Sequence, residues 1–111
     1  MTDITVLSQD SLLGEITRRL VDTFGPERIY LFGSKARGDA GPDSDYDLMV
    51  LIRDCNEPEY RLSQRAHALL WDLGVAADII VWPVERFERL RHLRASLPAT
   101  ILREGVSLYA S

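Results

Sequence analysis

Five consecutive apolar residues, Leu48 to Ile52, limit the folds open to this chain more than any other segment. A strand that is apolar along its length is buried on both faces, so it lies inside a sheet that is covered on both sides. Patterns typical of helices and of strands alternate along the rest of the 111 residues. The sequence therefore predicts one compact domain of the α/β or α+β class, with the strand order left open.

The individual elements follow from the spacing of apolar residues and from glycine and proline at the boundaries. Helical spacing predicts helices over 11–24, 57–73 and 84–93, a short helix over 97–103 and another that begins near Lys35. Runs rich in β-branched and aromatic residues predict strands over 28–32, 45–52 and 75–82, and an edge strand over 106–109. Residues 39–44 read as a loop by composition.

Composition excludes several classes of protein. The formal net charge of −4 argues against broad nucleic-acid binding, which needs a basic surface. No apolar run approaches the roughly 20 residues that span a bilayer, and the first ten residues lack the pattern of a signal peptide. A single cysteine, Cys55, excludes an internal disulfide. We therefore expect a cytoplasmic protein with no membrane partner and no direct nucleic-acid partner.

Two acids stand directly before the apolar run. Asp45 and Asp47 are two residues apart, so on a strand their side chains point to the same side. Two carboxylates on one face repel each other unless a cation lies between them, and such a pair is a natural ligand set for Mg²⁺. The alternative is that both are solvated turn residues, since a bare D-x-D occurs often without a metal.

A glycine and a serine follow the preceding strand. Gly33 lets the backbone approach a ligand closely, and a helix that begins at Ser34 or Lys35 presents free amides to an anion. Lys35 and Arg37 add positive charge, whereas a simple tight turn with solvated basic residues is the alternative. An anion site one loop away from an acid pair provides the two kinds of group that bind a metal–triphosphate.

A third acid, Asp78, interrupts the apolar run from Val75 to Trp82. A carboxylate in a buried strand is costly unless it is paired or coordinates a metal, so Asp78 either joins the acid pair or pairs with an arginine. Three carboxylates can hold two metal ions about 4 Å apart, which clamp the attacking and leaving oxygens of an in-line displacement.

Taken together, these residues resemble a known family. The matching segments are Gly33-Ser34-Lys35-Ala36-Arg37-Gly38, then Ser44-Asp45-Tyr46-Asp47-Leu48, then Asp78. They are similar to the DNA polymerase β-like nucleotidyltransferases, and most similar to the minimal nucleotidyltransferase (MNT) branch. The resemblance extends from the first helix to the ending Glu104 to Tyr109, and it implies a small mixed sheet flanked by helices.

The resemblance also implies roles for the residues. Gly33 and Ser34 would hold the triphosphate of ATP, and the positive charges of Lys35 and Arg37 would offset its negative charge. Asp45 and Asp47 would bind Mg²⁺, with two ions expected, and Asp78 would complete the metal site and help to activate the acceptor hydroxyl. Arg37 is equally well interpreted as a structural ion-pair partner.

Small members of this branch resemble the antitoxins of HEPN/MNT toxin–antitoxin pairs. The resemblance implies transfer of AMP from ATP to a tyrosine of a HEPN-type ribonuclease toxin, and the short chain suggests that its acceptor comes from a partner protein. Two alternatives stay open: neutralisation of the toxin by binding alone, and transfer to a small molecule such as an aminoglycoside.

Other conspicuous residues receive ordinary roles. His67 and His92 are interpreted as packing or surface residues rather than ligands. Trp71 and Trp82 are expected to pack in the core or against a partner rather than to stack on a nucleobase. The arginines between Arg86 and Arg94 are expected on a solvated helix face.

Overall fold

The computed structural model describes residues 11–39, 41, 45–54 and 56–111. Ser44, which belongs to the predicted acidic motif, and Cys55 lie outside these residues. The described helices are α1 (Ser11–Phe24), α2 (Ser34–Arg37), α3 (Glu59–Leu69), α4 (Val84–Leu90) and α5 (Leu97–Glu104). The strands are β1 (Arg28–Phe32), β2 (Tyr46–Ile52), β3 (Ala77–Pro83) and β4 (Val106–Ala110), and a single 3₁₀ turn spans Trp71–Leu73.

The four strands form one mixed sheet in the order β3-β2-β1-β4. Strand β1 is antiparallel to both β2 and β4, whereas β2 and β3 are parallel. The parallel pair is joined through α3, as a parallel connection requires a crossover. The expected mixed sheet flanked by helices is confirmed, and β4 lies at an edge as predicted.

Strand β2 is buried on both faces, as the apolar run predicted: Leu48 to Ile52 are at most 6% exposed. Alternate residues point to opposite faces, so β2 contributes side chains to two separate cores. Leu48, Val50 and Ile52 pack with α1 and α3 in the first core. Met49 and Leu51 pack in the second core with Phe87 of α4 and Ile101 of α5.

Three predicted boundaries on the β3 side of the sheet were wrong. The helix predicted over 57–73 begins only at Glu59. A helical conformation is unfavourable for Glu57 because it precedes a proline, and the backbone of Pro58 itself is extended. It ends at Leu69, where the Leu70 amide bonds to the His67 carbonyl and the chain tightens into the 3₁₀ turn. Strand β3 begins at Ala77 rather than at 75, since its pairing with β2 begins at Tyr46.

Helix α4 is also shorter than the predicted 84–93. The carbonyl of Leu90 accepts hydrogen bonds from the Leu93 amide at 3.0 Å and from the Ser96 hydroxyl at 2.7 Å. Ser96 then caps α5 by accepting from the Ala99 amide. The chain therefore turns after Leu90 instead of continuing the helix.

Among the described residues, no helix combines the length and the apolarity needed to cross a bilayer. The single-domain organisation and the cytoplasmic location stay predictions.

Candidate active site

The structure brings the three predicted acids together at one end of the sheet. Asp47 on β2 lies opposite Asp78 on β3 in the strand register, and Asp45 immediately precedes β2. The pKa of the Asp47 carboxyl is raised, first because burial removes it from water and then because Asp78 and Asp45 are negatively charged. The positive charge of Arg37 opposes this rise. The four side chains thus form one electrostatic unit centred on Asp47.

Asp78 differs from its predicted setting. The sequence placed it in a buried strand, but its side chain is exposed. The reason is that β3 is an edge strand and the second core reaches it only from Ile80 onward. The cost of burying a charge therefore does not apply to Asp78, and Asp47, which is partly buried, is the acid that carries that cost.

In the described part of the chain, no cationic side chain is paired directly with these carboxylates. Among the residues the structure describes, none donates a hydrogen bond to Asp45, Asp47 or Asp78, and none forms an ion pair with them within 4.0 Å. The described part of the chain likewise contains no ready-made group of three acidic, histidine or cysteine side chains around one ion. Among the described residues, Arg37 offsets the repulsion between these acids without contacting them. Such a cluster suits an external divalent cation, and its oxygen donors are the type that Mg²⁺ prefers.

Gly33 permits the close approach of β1 to Asp47. Its backbone has φ 76° and ψ −159°, a region that is essentially restricted to glycine. A Cβ at this position would overlap the Asp47 carboxylate and lie 3.1 Å from its Cγ. The sequence suggested that Gly33 makes room for a ligand, and the structure shows that it also makes room for the acid itself.

The predicted short helix is present as α2, directly after Gly33. Its first internal hydrogen bonds run from the amides of Ala36 and Arg37 to the Gly33 carbonyl, both at 3.1 Å. The amides of Ser34 and Lys35 precede these bonds, so they are the donors that a helix start offers to an anion. The Lys35 ammonium lies 4.5 Å from the centroid of the buried Tyr46 ring, which holds it beside β2.

Arg37 is a structural ion-pair partner, which was one of its two predicted roles. Its guanidinium lies 3.2 Å from an Asp39 carboxylate oxygen and 3.7 Å from one of Glu104. The second contact ties α2 to the end of α5. Arg37 also lowers the pKa of Asp47, so one side chain both joins two helices and acts on the acid cluster.

Sequence reasoning missed a pocket beside the acids. Asp45 forms part of its lining with His67, Trp71 and the segment from Gly74 to Ala77, and its volume is about 500 Å³. Trp71 is 84% exposed, so of its two predicted places the core is excluded, and packing against a partner stays a prediction. Trp82, in contrast, packs against the second core, with the Arg86 guanidinium 4.1 Å from its ring centroid. No spacing in the sequence could have indicated this pocket, because it forms between segments that only the fold brings together.

The two histidines are surface residues, as predicted, but His67 has a specific place. Its ring nitrogens lie 2.7 Å from the Ser63 carbonyl oxygen and 3.0 Å from that of Ala77. The second contact joins α3 to the residue that precedes Asp78. His92 is exposed near the end of α4.

Comparisons with known proteins agree with this arrangement. Residues 13–107 match the family model described as a nucleotidyltransferase domain. The protein adenylyltransferase MntA of Thermococcus cleftensis is 29% identical over 108 residues, which cover 96% of this chain and 98% of the relative. Two other curated relatives are much longer, and the chain spans only 5% of one and 19% of the other.

Solved structures show the same fold at lower identity. A candidate nucleotidyltransferase from Sulfolobus solfataricus superposes with a TM-score of 0.61 at 22% identity, over 90% of this chain and 78% of that one. A toxin–antitoxin crystallised with AMP-PNP superposes with a TM-score of 0.56 at 22% identity, over 88% of this chain and 73% of that one.

Proposed function

Because this chain belongs to the nucleotidyltransferase domain family, we propose that it transfers AMP from ATP to a hydroxyl of a partner protein. The family match makes the chain a nucleotidyltransferase; the nucleotide, the acceptor and the metal belong to the proposal. The observation that carries it is the acid cluster around Asp47, packed directly against the Gly33 backbone at the start of α2.

Each side of the site has its own task. The Ser34 and Lys35 amides bind phosphate oxygens, whereas the Lys35 ammonium packs on the Tyr46 ring, which points to the face of β2 opposite to Asp47. Asp45 and Asp47 would hold Mg²⁺, with two ions expected and Asp78 as a further ligand, and the metal would supply positive charge that neutralises the triphosphate. Asp78, exposed at the sheet edge, can also take the proton from the acceptor hydroxyl.

The partner we propose is a HEPN-type toxin, with a tyrosine hydroxyl as acceptor and the chain acting as its antitoxin. Support comes from the adenylyltransferase relative, of which the chain spans nearly the whole length, and from the fold shared with a toxin–antitoxin structure. Exposed apolar side chains such as Leu93 are then available for the rest of the contact with the partner.

A labelling experiment tests the proposal. The chain is incubated with Mg²⁺, ATP labelled at the α-phosphate and the protein encoded by the neighbouring gene. We expect label on a tyrosine of that protein, and none with the Asp45→Ala plus Asp47→Ala variant. Asp54→Ala is the matched control, since Asp54 is an exposed acid beyond the opposite end of β2.

Two results would contradict the proposal. Absence of transfer by the wild-type chain, at the level of the double variant, would exclude adenylylation of that partner. Rescue of cells from the partner's toxicity by the double variant would show that neutralisation proceeds through binding without chemistry.

A further inference from the structure

A groove between α4 and α5 gathers several of the arginines that follow Pro83. Three of them line it, Arg91, Arg94 and Arg103, together with Leu102, and its volume is about 450 Å³. These four side chains are exposed, whereas the same two helices turn Phe87 and Ile101 towards the second core. The groove therefore opens on the outer surface of the layer formed by α4 and α5.

The positive charges of this groove are only partly balanced within the described part of the chain. The groove also contains Glu88, which accepts hydrogen bonds from Arg28 at 3.0 Å and from Arg91 at 3.1 Å. The bond from Arg28 lowers the pKa of Glu88, so this carboxylate is ionised at neutral pH and offsets the charge of Arg91. Arg94 and Arg103 have no ion-pair partner within 4.0 Å among the described residues. Two unpaired positive charges thus face solvent in a chain whose formal net charge is −4.

Hydrogen bonds hold these two arginines in a defined arrangement. The Arg103 guanidinium donates to the Arg94 carbonyl at 3.2 Å and to the Thr100 hydroxyl at 3.3 Å. The turn before α5 is fixed in addition by the Ser96 hydroxyl, which donates to the Leu90 carbonyl. A guanidinium has five N–H donors and these contacts use two, so Arg103 can still bind a carboxylate. Because its side chain is already held, such binding loses less conformational entropy than it would for a free arginine.

The mixture of charged and apolar groups selects the kind of ligand. Leu102 lies in the groove and is 39% exposed, and Leu93, next to Arg94 in the chain, is 58% exposed. A nucleic acid presents closely spaced phosphates, which the ionised Glu88 would repel and which leave the leucines unused. A protein segment whose carboxylates flank an apolar side chain matches both the arginines and the leucines.

Helix α5 connects the groove with the acid cluster. Its last residue, Glu104, lies 3.7 Å from the guanidinium of Arg37, which acts on Asp47. The helix has eight residues and is therefore only about 12 Å long. Asp47 points to the face of β2 that α4 and α5 cover, because it alternates with Leu48 of the first core. A protein held in the groove is therefore on the same side of the sheet as Asp47.

We propose that the groove between α4 and α5 docks an acidic segment of the partner protein. Carboxylates of that segment bind Arg94 and Arg103, and an apolar side chain between them packs on Leu102. The inference rests on the proposed function, in which a partner protein supplies the acceptor.

Two substitutions test the docking surface without touching the acids. Binding of the protein encoded by the neighbouring gene is followed by stopped-flow kinetics and by calorimetric titration. We expect Arg94→Glu to lower the association rate constant about tenfold at low ionic strength and to weaken its salt dependence, because opposite charges steer the encounter. Leu102→Ala should weaken the affinity about fivefold, since it removes apolar surface that the complex buries.

Matched controls lie on α3, which packs on the opposite face of the sheet. Arg61→Glu reverses the charge of an exposed arginine that has no ion-pair partner within 4.0 Å among the described residues. Tyr60→Ala removes an exposed apolar side chain. Both controls should bind the partner as the wild type does, and the KM for ATP should be the same in all four variants.

Equal association rates and affinities for wild type, Arg94→Glu and Leu102→Ala would refute the docking surface, and so would absence of binding by the wild-type chain. A single-stranded RNA oligonucleotide is titrated in parallel. If Arg94→Glu weakens binding of the oligonucleotide and leaves that of the partner unchanged, the groove takes phosphates and the inference is overturned.

Labelled ATP separates this inference from the proposed function. If the partner binds through the groove but receives no AMP, the proposed function fails and the docking surface stands. If the partner receives AMP and binds all variants equally, the proposed function stands and the docking surface is refuted.

Discussion

Replacing Gly33 by alanine tests whether this glycine is needed for the close approach of β1 to Asp47 or only for an ordinary turn. The backbone at φ 76° and ψ −159° costs a residue with a Cβ about 1–3 kcal/mol. In addition, the new Cβ would overlap the Asp47 carboxylate, which must move by on the order of 1 Å to restore normal contact. For a domain of this size the backbone strain alone lowers Tm by roughly 5–20 °C.

The displaced carboxylate should affect the reaction more than the stability. A misplacement of about 1 Å in a catalytic group costs on the order of 100-fold in rate. We therefore expect Gly33→Ala to lose about 100-fold in kcat for AMP transfer, measured at a temperature where circular dichroism shows the variant to be folded.

Gly25→Ala is the control for backbone strain. Gly25 also has a positive φ, 54°, but a Cβ there would meet no atom within 4 Å. We expect it to lose about 1–2 kcal/mol of stability and to keep its rate per folded molecule. Equal rates for the two variants, or an unchanged Tm for Gly33→Ala, would refute the assigned role of Gly33.

Three further substitutions probe the charges and the core. Asp47→Asn should abolish transfer yet raise the free energy of unfolding at pH 7, because the folded state holds this carboxylate with a raised pKa and so opposes its ionisation. Arg37→Gln should move the acidic limb of the pH–rate profile to higher pH, since Arg37 lowers the pKa of Asp47, whereas Arg53→Gln should not. Phe87→Ala should cost about 3–5 kcal/mol in denaturant unfolding, because Phe87 is fully buried, against about 0.5 kcal/mol or less for the exposed Leu93→Ala.

The direction of the pKa shift of Asp47 determines how the effect of Asp47→Asn on the free energy of unfolding depends on pH. With a raised folded-state pKa, the folded wild-type chain binds the proton more tightly than the unfolded chain, so protonation stabilises it. The stability advantage of Asp47→Asn should therefore shrink as the pH falls through that pKa. An advantage that grows towards acid pH would contradict the assigned environment.

Much of the fold was predictable because it depends on local patterns. Helix α1 and strand β1 have the predicted bounds, since apolar spacing and the Gly25-Pro26 stop act within a few residues. The errors at α3, β3 and α4 came from contacts between segments, such as the pairing of Tyr46 with Ala77 and the Ser96 bond to Leu90. Such contacts leave no mark in the spacing of residues along one segment.

In the candidate site too, some features were predictable from the sequence and others depended on the tertiary structure. By itself the sequence supplied the Gly33-Ser34 turn, the acid pair and Asp78, because the types and spacing of these residues are part of the motif. Only the tertiary structure decided that Asp78 is exposed, that burial and the neighbouring acids raise the pKa of Asp47, and that Arg37 pairs with Glu104. The physical reason is that burial and electrostatic coupling depend on which strand lies at the edge of the sheet, and the order of strands is settled by packing between distant segments.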